Sequence, residues 1–159
     1  MNEIIIEKAS IENAEEILSL QKIAYVSEAK IIDDFTIPPL HQTLEEIQSE
    51  FRHQIFLKVE LNDAIIGSVR TCLEGKTCYI GKLIVHPKNQ NTGIGKKLLH
   101  AAEKQFPDAE RYELFTGQKS KRNLYIYEKN GYRIFKNKRI SEKLSLVFLE
   151  KINSIKQLH

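Results

Sequence analysis

The chain has 159 residues, of which 42% are hydrophobic and 28% charged, and its net charge is +3. This length is typical of one domain with a substantial core, and we predict a single domain over residues 1–159. The positive excess is small and is not interleaved with aromatic residues, so we expect no nucleic-acid partner. No apolar run approaches the length of a membrane-spanning helix, so we expect no membrane partner either.

The two cysteines and the N-terminal residues indicate the compartment. Cys72 and Cys78 lie in strand-like apolar runs on either side of a turn at Gly75. Buried, reduced thiols are the usual state of such residues in a cytosolic protein. The apolar run over residues 4–6 is too short for a signal peptide and has acidic neighbours. We therefore predict a cytoplasmic protein with two free cysteines.

Hydrophobic periodicity and turn residues divide the chain into eleven elements. We predict strands over residues 4–8, 55–61, 64–72, 78–85, 112–116, 132–140 and 144–151. We predict helices that begin after the capping residues Ser10 and Thr43, and two more over residues 93–106 and 120–130. Residues 29–42 are predicted to be irregular. The order β-α-α-β-β-β-α-β-α-β-β predicts a mixed α/β sheet of about seven strands with helices on both faces.

The most informative segment is residues 85–99, which read VHPKNQNTGIGKKLL. An apolar strand ends near a proline, a polar loop follows, and Gly93 and Gly95 open an amphipathic helix. Such a loop presents free backbone N–H groups at the positive end of the helix dipole. We therefore predict a binding site for a phosphorylated cofactor at this helix N-terminus.

The spacing of the glycines separates three classes of phosphate-binding loop. A P-loop has four residues between its glycines, and a dinucleotide fingerprint has a third glycine where Leu98 stands. The pattern Gln-x-x-Gly-x-Gly after Val-x-Pro resembles the acetyl-CoA-binding motif of the GNAT superfamily of N-acetyltransferases. The predicted element order is also that of the GNAT fold, so the resemblance covers essentially the whole chain. An ATP- or NAD-binding domain remains an alternative reading.

A second motif, LYIYEKNGY over residues 124–132, resembles the Y-E-K-x-G segment of the same family. The resemblance implies that Tyr127 donates a proton to the departing CoA sulfur, and a positioned phenol can stabilise a developing thiolate. Similar enzymes often have an asparagine seven residues before this tyrosine, where this chain has Ser120. Either Ser120 or Asn123 is expected to contact CoA, and we favour Asn123.

The resemblance also implies the cofactor and its ligands. Acetyl-CoA is the expected co-substrate, with its pantetheine arm along the end of the strand over residues 78–85. The backbone of Leu83, Ile84 and Val85 would contact this arm. The pyrophosphate would be held by Gln90, Asn91, Thr92, Gly93, Ile94, Gly95 and Lys96. No group of His, Cys and Asp has the spacing of metal ligands, so we expect no metal.

The reaction that the resemblance implies is direct transfer of the acetyl group to a primary amine. The amine must be neutral, and removing a proton of pKa 10 at pH 7 costs about 4 kcal/mol. Similar enzymes often place a Glu or His base on the strand before the loop, where this chain has Tyr79 and Gly81. Lys82 is expected to point away from the cleft, since side chains alternate along a strand. A nucleophilic cysteine is not expected, because buried strand cysteines are usually inert.

The missing base leaves several alternatives open. Glu28, Asp33 and Asp34 are the remaining candidate bases, and each is also explained as a solvated surface acid or as an attractor of a cationic acceptor. A non-catalytic acyl-CoA-binding or sensor domain is the alternative function. The acceptor is an unidentified small-molecule or peptide amine. The apolar last strand could pair across a homodimer, and the oligomeric state stays open.

Overall fold

In a computed structural model, which describes residues 4–154, seven strands form one sheet in the order β1-β2-β3-β4-β5-β7-β6. The strands are β1 (Ile6–Lys8), β2 (Ile55–Leu61), β3 (Ala64–Glu74), β4 (Thr77–Val85), β5 (Arg111–Gly117), β6 (Arg133–Arg139) and β7 (Ser145–Ile152). The helices are α1 (Ala14–Ile32), α2 (Leu44–Glu50), α3 (Ile94–Lys104) and α4 (Lys121–Lys129). β4 and β5 are parallel and the other neighbouring strands are antiparallel. The predicted mixed sheet and element order are confirmed.

Helices cover both faces of this sheet. Phe56 and Leu57 are consecutive residues of β2, and their side chains point to opposite faces. Phe56 packs with α1 and α2 in one core cluster, whereas Leu57 packs with α3 in the other. The sheet therefore has an α1 face and an α3 face, each with its own hydrophobic core.

The first helix is longer than the sequence pattern indicates. Residues 29–32 were expected to begin an irregular stretch, but they form the last turn of α1. No glycine or proline interrupts this turn, and the helix ends where Asp33 adopts a left-handed conformation with φ 54°. Aspartate tolerates this conformation better than most residues, and a left-handed residue is a common helix terminator. The irregular connection to α2 is therefore confined to residues 33–43.

β4 and β5 part from each other after a short parallel pairing. Residues Thr77, Cys78 and Tyr79 of β4 pair with the first three residues of β5. Both strands then continue, to Val85 and Gly117, without further pairing between them. A wedge opens between the strands at their C-terminal ends.

A β-bulge in β4 reverses the expected direction of its last side chains. Ile80 packs on the α3 face and Ile84 on the α1 face, although residues four apart in a regular strand share a face. The bulge lies between them: Lys82 and Leu83 together oppose Val69 of β3, and Lys82 has a positive φ of 49°. The prediction that Lys82 points away from the cleft is therefore wrong, and its side chain lines the cleft.

β7 lies between β5 and β6, and alternate residues of its apolar run are buried within the domain itself. Val147 and Leu149 are buried in the core of the α3 face. The apolar pattern of this strand therefore gives no independent support for a dimer. Both cysteines are free thiols, with Cys78 buried and Cys72 half-buried. No helix within residues 4–154 combines the length and the apolar character that crossing a membrane requires.

Replacing Gly131 with alanine is expected to lower the free energy of unfolding by about 1–2 kcal/mol. Gly131 follows α4 with φ 95°, and an added Cβ would lie 3.0 Å from Cδ of Lys151. Urea denaturation would measure the loss. Gly81→Ala is the control, because Gly81 has no positive φ and no atom within 4 Å of an added Cβ. Equal stability of the two variants would contradict the prediction.

Candidate active site

The wedge between β4 and β5 opens into a cleft of about 570 Å³. Its walls come from the second half of α1, the connection over residues 37–39, the parted ends of β4 and β5, and α4, with further residues from α2, β3 and the β6–β7 hairpin. Elements that are distant in the chain therefore meet around one cavity. The predicted site residues that line it are Leu83, Ser120, Asn123, Tyr127 and Glu28.

The glycine loop adjoins this cleft at the end of β4. Asn91 and Gly93 both have positive φ, 63° and 85°, so the chain turns sharply before α3 begins. Gly93 is the N-cap residue of α3 and has no side chain to cap the helix. The first N–H groups of α3 therefore remain available to bind a ligand. An added Cβ at Gly95 would lie 3.6 Å from Ile126 and 3.9 Å from Val85. The start of α3 thus sits directly against the end of β4 and the middle of α4.

The other loop residues contribute in different ways. The Gln90 amide donates to the Val85 carbonyl at 3.4 Å, and the Thr92 hydroxyl donates to the Asn89 carbonyl at 2.5 Å. The side chain of Ile94, the first residue of α3, is buried, so only its backbone could contact a ligand. Lys96 is exposed. The seven loop residues lie together beside the wedge, and their role as cofactor ligands stays a prediction.

The end of β4 offers backbone groups rather than side chains. Leu83 and Val85 pack against the core of the α3 face, and Ile84 is buried in the core of the α1 face. The edge of this segment that faces β5 is unpaired. An extended ligand with amide groups can pair with such an edge as an added strand would. The residues present therefore fit acetyl-CoA: a free strand edge for the pantetheine amides, and a helix N-terminus for the pyrophosphate.

Tyr127 lies at the boundary between the core of the α3 face and the cleft. Its ring is 4% exposed and packs 6.1 Å from the ring of Tyr132. Its hydroxyl oxygen has no hydrogen-bond partner within residues 4–154, and the residue is one of those that line the cleft. Burial raises the pKa of Tyr127, and the nearby Tyr25 and Glu28 raise it further. The phenol therefore stays protonated at neutral pH and can donate a proton.

Ser120 and Asn123, the two candidates for contact with CoA, both line the cleft. The buried Ser120 hydroxyl donates to Oε1 of Glu28 at 3.0 Å. The half-buried Asn123 amide donates to the Thr116 hydroxyl at 3.1 Å. The Ser120 hydroxyl is thus already paired with Glu28 of α1, whereas the Asn123 amide is hydrogen-bonded to Thr116 of β5. Which of them contacts CoA stays a prediction, and we still favour Asn123.

The three candidate bases have different surroundings. Glu28 lines the cleft and is half-buried, and burial raises the pKa of its carboxyl against the lowering effects of Ser120 and Arg122. Asp33 and Asp34 are not among the residues that line the cleft. The hydrogen bonds from Thr36 hold the pKa of the exposed Asp34 below its ordinary value. Of the three acids, Glu28 alone is placed to meet a substrate in the cleft.

A buried arginine that the sequence did not predict supports one wall of the cleft. Arg70 of β3 is 1% exposed and donates to Gln21 of α1, to Gln42 at 3.4 Å and to Glu50 of α2 at 3.3 Å. Gln21 also donates to the Pro39 carbonyl at 2.9 Å. This network holds the connection over residues 33–43 against α1 and the sheet.

One pattern in the sequence does indicate this polar network. Gln21, Tyr25 and Glu28 are spaced four and three apart, which places them on one side of a helix. Gln21 is completely buried, and the other two line the cleft. Polar residues on the inward face of an amphipathic helix are a usable signal for a site.

Apolar side chains form the outer walls of the cleft. Ile37, Pro38 and Pro39 provide one of these walls, whereas the neighbouring Leu40 does not line the cavity. The opposite wall comes from β5 and the β6–β7 hairpin, with Phe115, Ile140, Leu144 and Leu146. Among the described residues, no group of three or more His, Cys, Asp or Glu side chains is placed to hold a metal ion.

Comparison with known proteins identifies the family. Residues 52–134 match the model of the acetyltransferase (GNAT) domain. The chain is 31% identical over 120 residues to the UPF0157 protein YqkA of Bacillus subtilis, a match that covers 76% of this chain and 34% of that protein. The chain thus spans about a third of the length of this curated relative.

Solved structures share the fold along nearly the whole chain. The PaiA N-acetyltransferase of Thermoplasma acidophilum, in complex with coenzyme A, superposes with a TM-score of 0.68 at 21% identity over 95% of this chain and 99% of that one. The ribosomal-protein-S18-alanine N-acetyltransferase of Escherichia coli has a TM-score of 0.77 at 11% identity, over 94% of each chain. The parted sheet with a glycine loop at its opening defines an acyltransferase fold. The chain belongs to the GNAT acetyltransferase family.

Proposed function

We propose that the protein transfers the acetyl group of acetyl-CoA directly to a primary amine within a ternary complex. The observation that carries this proposal is the position of Tyr127, which lines the same cleft as the unpaired part of β4. The family membership supports acetyl transfer in general. The amine acceptor and the mechanism rest on the geometry of the cleft.

The chain would hold acetyl-CoA with backbone groups and a few side chains. Leu83, Ile84 and Val85 would offer the free edge of β4 to the pantetheine arm. The loop from Gln90 to Lys96 would surround the pyrophosphate, and Asn123 would contact the arm from α4. Bound acetyl-CoA supplies an activated thioester, and a backbone N–H at the end of β4 would polarise its carbonyl.

Direct transfer is favoured over a cysteine-linked intermediate. Cys72 lines the cleft, but burial and the nearby Glu74 raise the pKa of its thiol. Burial also raises the pKa of the Cys78 thiol to about 11. A protonated thiol is a weak nucleophile, so neither cysteine is suited to carry the acetyl group. The amine itself would attack the thioester while the Tyr127 hydroxyl gives its proton to the leaving sulfur.

The Tyr127→Phe substitution is expected to lower kcat about 100-fold and to change the Kd for acetyl-CoA less than about 3-fold, because it removes only the proton donor. Release of free CoA would be followed across a panel of primary amines, and calorimetry would measure acetyl-CoA binding. Tyr125→Phe is a matched control: Tyr125 lies on the same helix but is 64% exposed, so its substitution should leave kcat unchanged.

A non-catalytic acyl-CoA sensor is the second candidate function. The absence of an acid at Tyr79 and Gly81, the strand positions where similar enzymes often carry one, favours it. A sensor would bind acetyl-CoA and release no CoA with any amine in the panel. Equal turnover of wild type and Tyr127→Phe would instead remove Tyr127 from the mechanism.

A further inference from the structure

Glu28 is an unassigned carboxylate inside the cleft. It lies in the last two turns of α1, and its Oε1 accepts the hydrogen bond from the buried Ser120 hydroxyl. Its other carboxylate oxygen, Oε2, has no hydrogen-bond partner within residues 4–154. One oxygen is therefore held in place, and the second is free to meet a ligand.

The other acids of the cleft are engaged or lie at its rim. Glu50 forms an ion pair with Arg70 at 3.3 Å, and Glu113 forms one with Arg111 at 2.9 Å. Glu74, at the end of β3, is exposed. Within the described part of the chain, Glu28 is the half-buried cleft carboxylate that has no cation within 4.0 Å. A cationic group entering the cleft would find its counter-ion there.

The groups that face Glu28 come from two elements. Tyr25 lies one turn earlier on α1. Ser120 is the N-cap residue of α4, and Arg122 and Tyr127 lie within that helix. Arg122 is the cation among them, and its attraction lowers the pKa of Glu28 less than burial raises it. A carboxylate with a raised pKa is a better proton acceptor near neutral pH than an exposed one.

We propose that Glu28 binds the ammonium group of the acceptor and accepts its proton, in the role that an acid on β4 fills in similar enzymes. This inference rests on the proposed function. Both residues line the cleft, and Glu28 lies near enough to Tyr127 for its charge to act on the tyrosine, so one amine in the cleft can meet both the proton acceptor and the proton donor. The base thus reaches the cleft from α1, because β4 carries no acid or histidine.

The protons balance across the reaction. The acceptor enters as an ammonium ion and loses one N–H proton to Oε2 of Glu28, which leaves a lone pair to form the C–N bond. The C–S bond breaks, and the sulfur takes the proton of the Tyr127 hydroxyl. The second amine proton returns to the Tyr127 oxygen as the amide forms. Glu28 then releases its proton to water, so each turnover yields one amide, one thiol and one proton.

The test is the Glu28→Gln variant. Its amide oxygen can still accept the hydrogen bond from the Ser120 hydroxyl, but the negative charge and the basic carboxylate oxygen are lost. We expect kcat/KM for the amine at pH 7 to fall about 100-fold or more, with acetyl-CoA affinity unchanged. Glu15→Gln is the control, because Glu15 lies exposed on the same helix. Its kcat/KM should stay within about 2-fold of wild type.

The pH profile separates a proton acceptor from a structural residue. Wild-type kcat/KM should fall as the pH drops through the pKa of Glu28, and this acid limb should be absent from Glu28→Gln. Ser120→Ala removes a hydrogen bond that lowers the pKa of Glu28, so its acid limb should move to higher pH. A merely structural contact would lower activity at every pH without moving the limb.

Two results would overturn the inference and distinguish it from the proposed function. If Tyr127→Phe loses activity but Glu28→Gln keeps both its kcat/KM and its acid limb, Glu28 is not the proton acceptor and the proposed function stands. If the wild type binds acetyl-CoA but acetylates no amine, both proposals are wrong and the sensor remains.

Discussion

Replacing Gly95 with aspartate is expected to abolish acetyl-CoA binding while the protein stays folded. Gly95 is the second residue of α3, where an added carboxylate stabilises the helix by about 0.3–1 kcal/mol through its dipole. The new Cβ would make only ordinary contacts, at 3.6 Å with Ile126 and 3.9 Å with Val85, and the position has no positive φ. The melting temperature should therefore stay the same or rise slightly.

The same carboxylate would stand where the pyrophosphate is proposed to bind. Like charges placed together in a binding site cost several kcal/mol, so we expect acetyl-CoA affinity to fall at least about 100-fold. Calorimetric titration would measure it. Gly95→Asn is the matched control, because asparagine has the same shape without the charge and should weaken binding much less. Undiminished binding by Gly95→Asp would show that the glycine loop does not hold the pyrophosphate.

The second prediction with a large expected effect concerns the stability of the folded protein. Replacing Arg70 with methionine should lower the free energy of unfolding by about 3 kcal/mol, because it breaks a buried ion pair from one side. Glu50 would lose its cationic partner, although Gln42 and Gln54 would still donate to it. Oε1 of the buried Gln21 would lose its donor. The same substitution should loosen the connection over residues 33–43, which Gln21 and Gln42 hold in place.

Guanidinium denaturation of wild type and variant would measure the loss, and limited proteolysis would show whether cleavage concentrates within residues 33–43. Lys76→Met is the control. Lys76 pairs with Glu110, but the two side chains are 78% and 48% exposed, and exposed pairs contribute little. An Arg70→Met protein as stable as the Lys76→Met protein would mean that the buried network is not needed for stability.

Local signals in the sequence were sufficient for most of the fold. Thr43 and Glu46 form the reciprocal hydrogen bonds that begin α2, and Gly131 has the left-handed conformation that commonly follows a helix. Gly93 and Gly95 open α3, whereas the role of Tyr127 was implied by the family resemblance of residues 124–132. These features depend on residues that are close together in the chain, so the sequence pattern contains the information.

The features that were missed depend on distant parts of the chain. The bulge at Lys82 has no glycine or proline to mark it, and it follows from how β4 pairs with β3. Arg70 lies in a strand whose arginine would ordinarily face solvent, but its partners come from α1, α2 and the connection between them. The sequence left Glu28, Asp33 and Asp34 equally open as candidate bases, and only the fold shows that Glu28 alone of the three lines the cleft. Such contacts are set by tertiary packing rather than by spacing.

The parting of β4 and β5 also has a mechanical consequence. Because the two strands share only three residue pairs, the sheet consists of a four-stranded and a three-stranded ribbon joined along a narrow seam. We expect so narrow a seam to bend easily, and slow motions of the protein to appear there as a relative twist of the two ribbons. A ligand seated in the wedge would stiffen this hinge, so occupancy and rigidity of the domain would rise together.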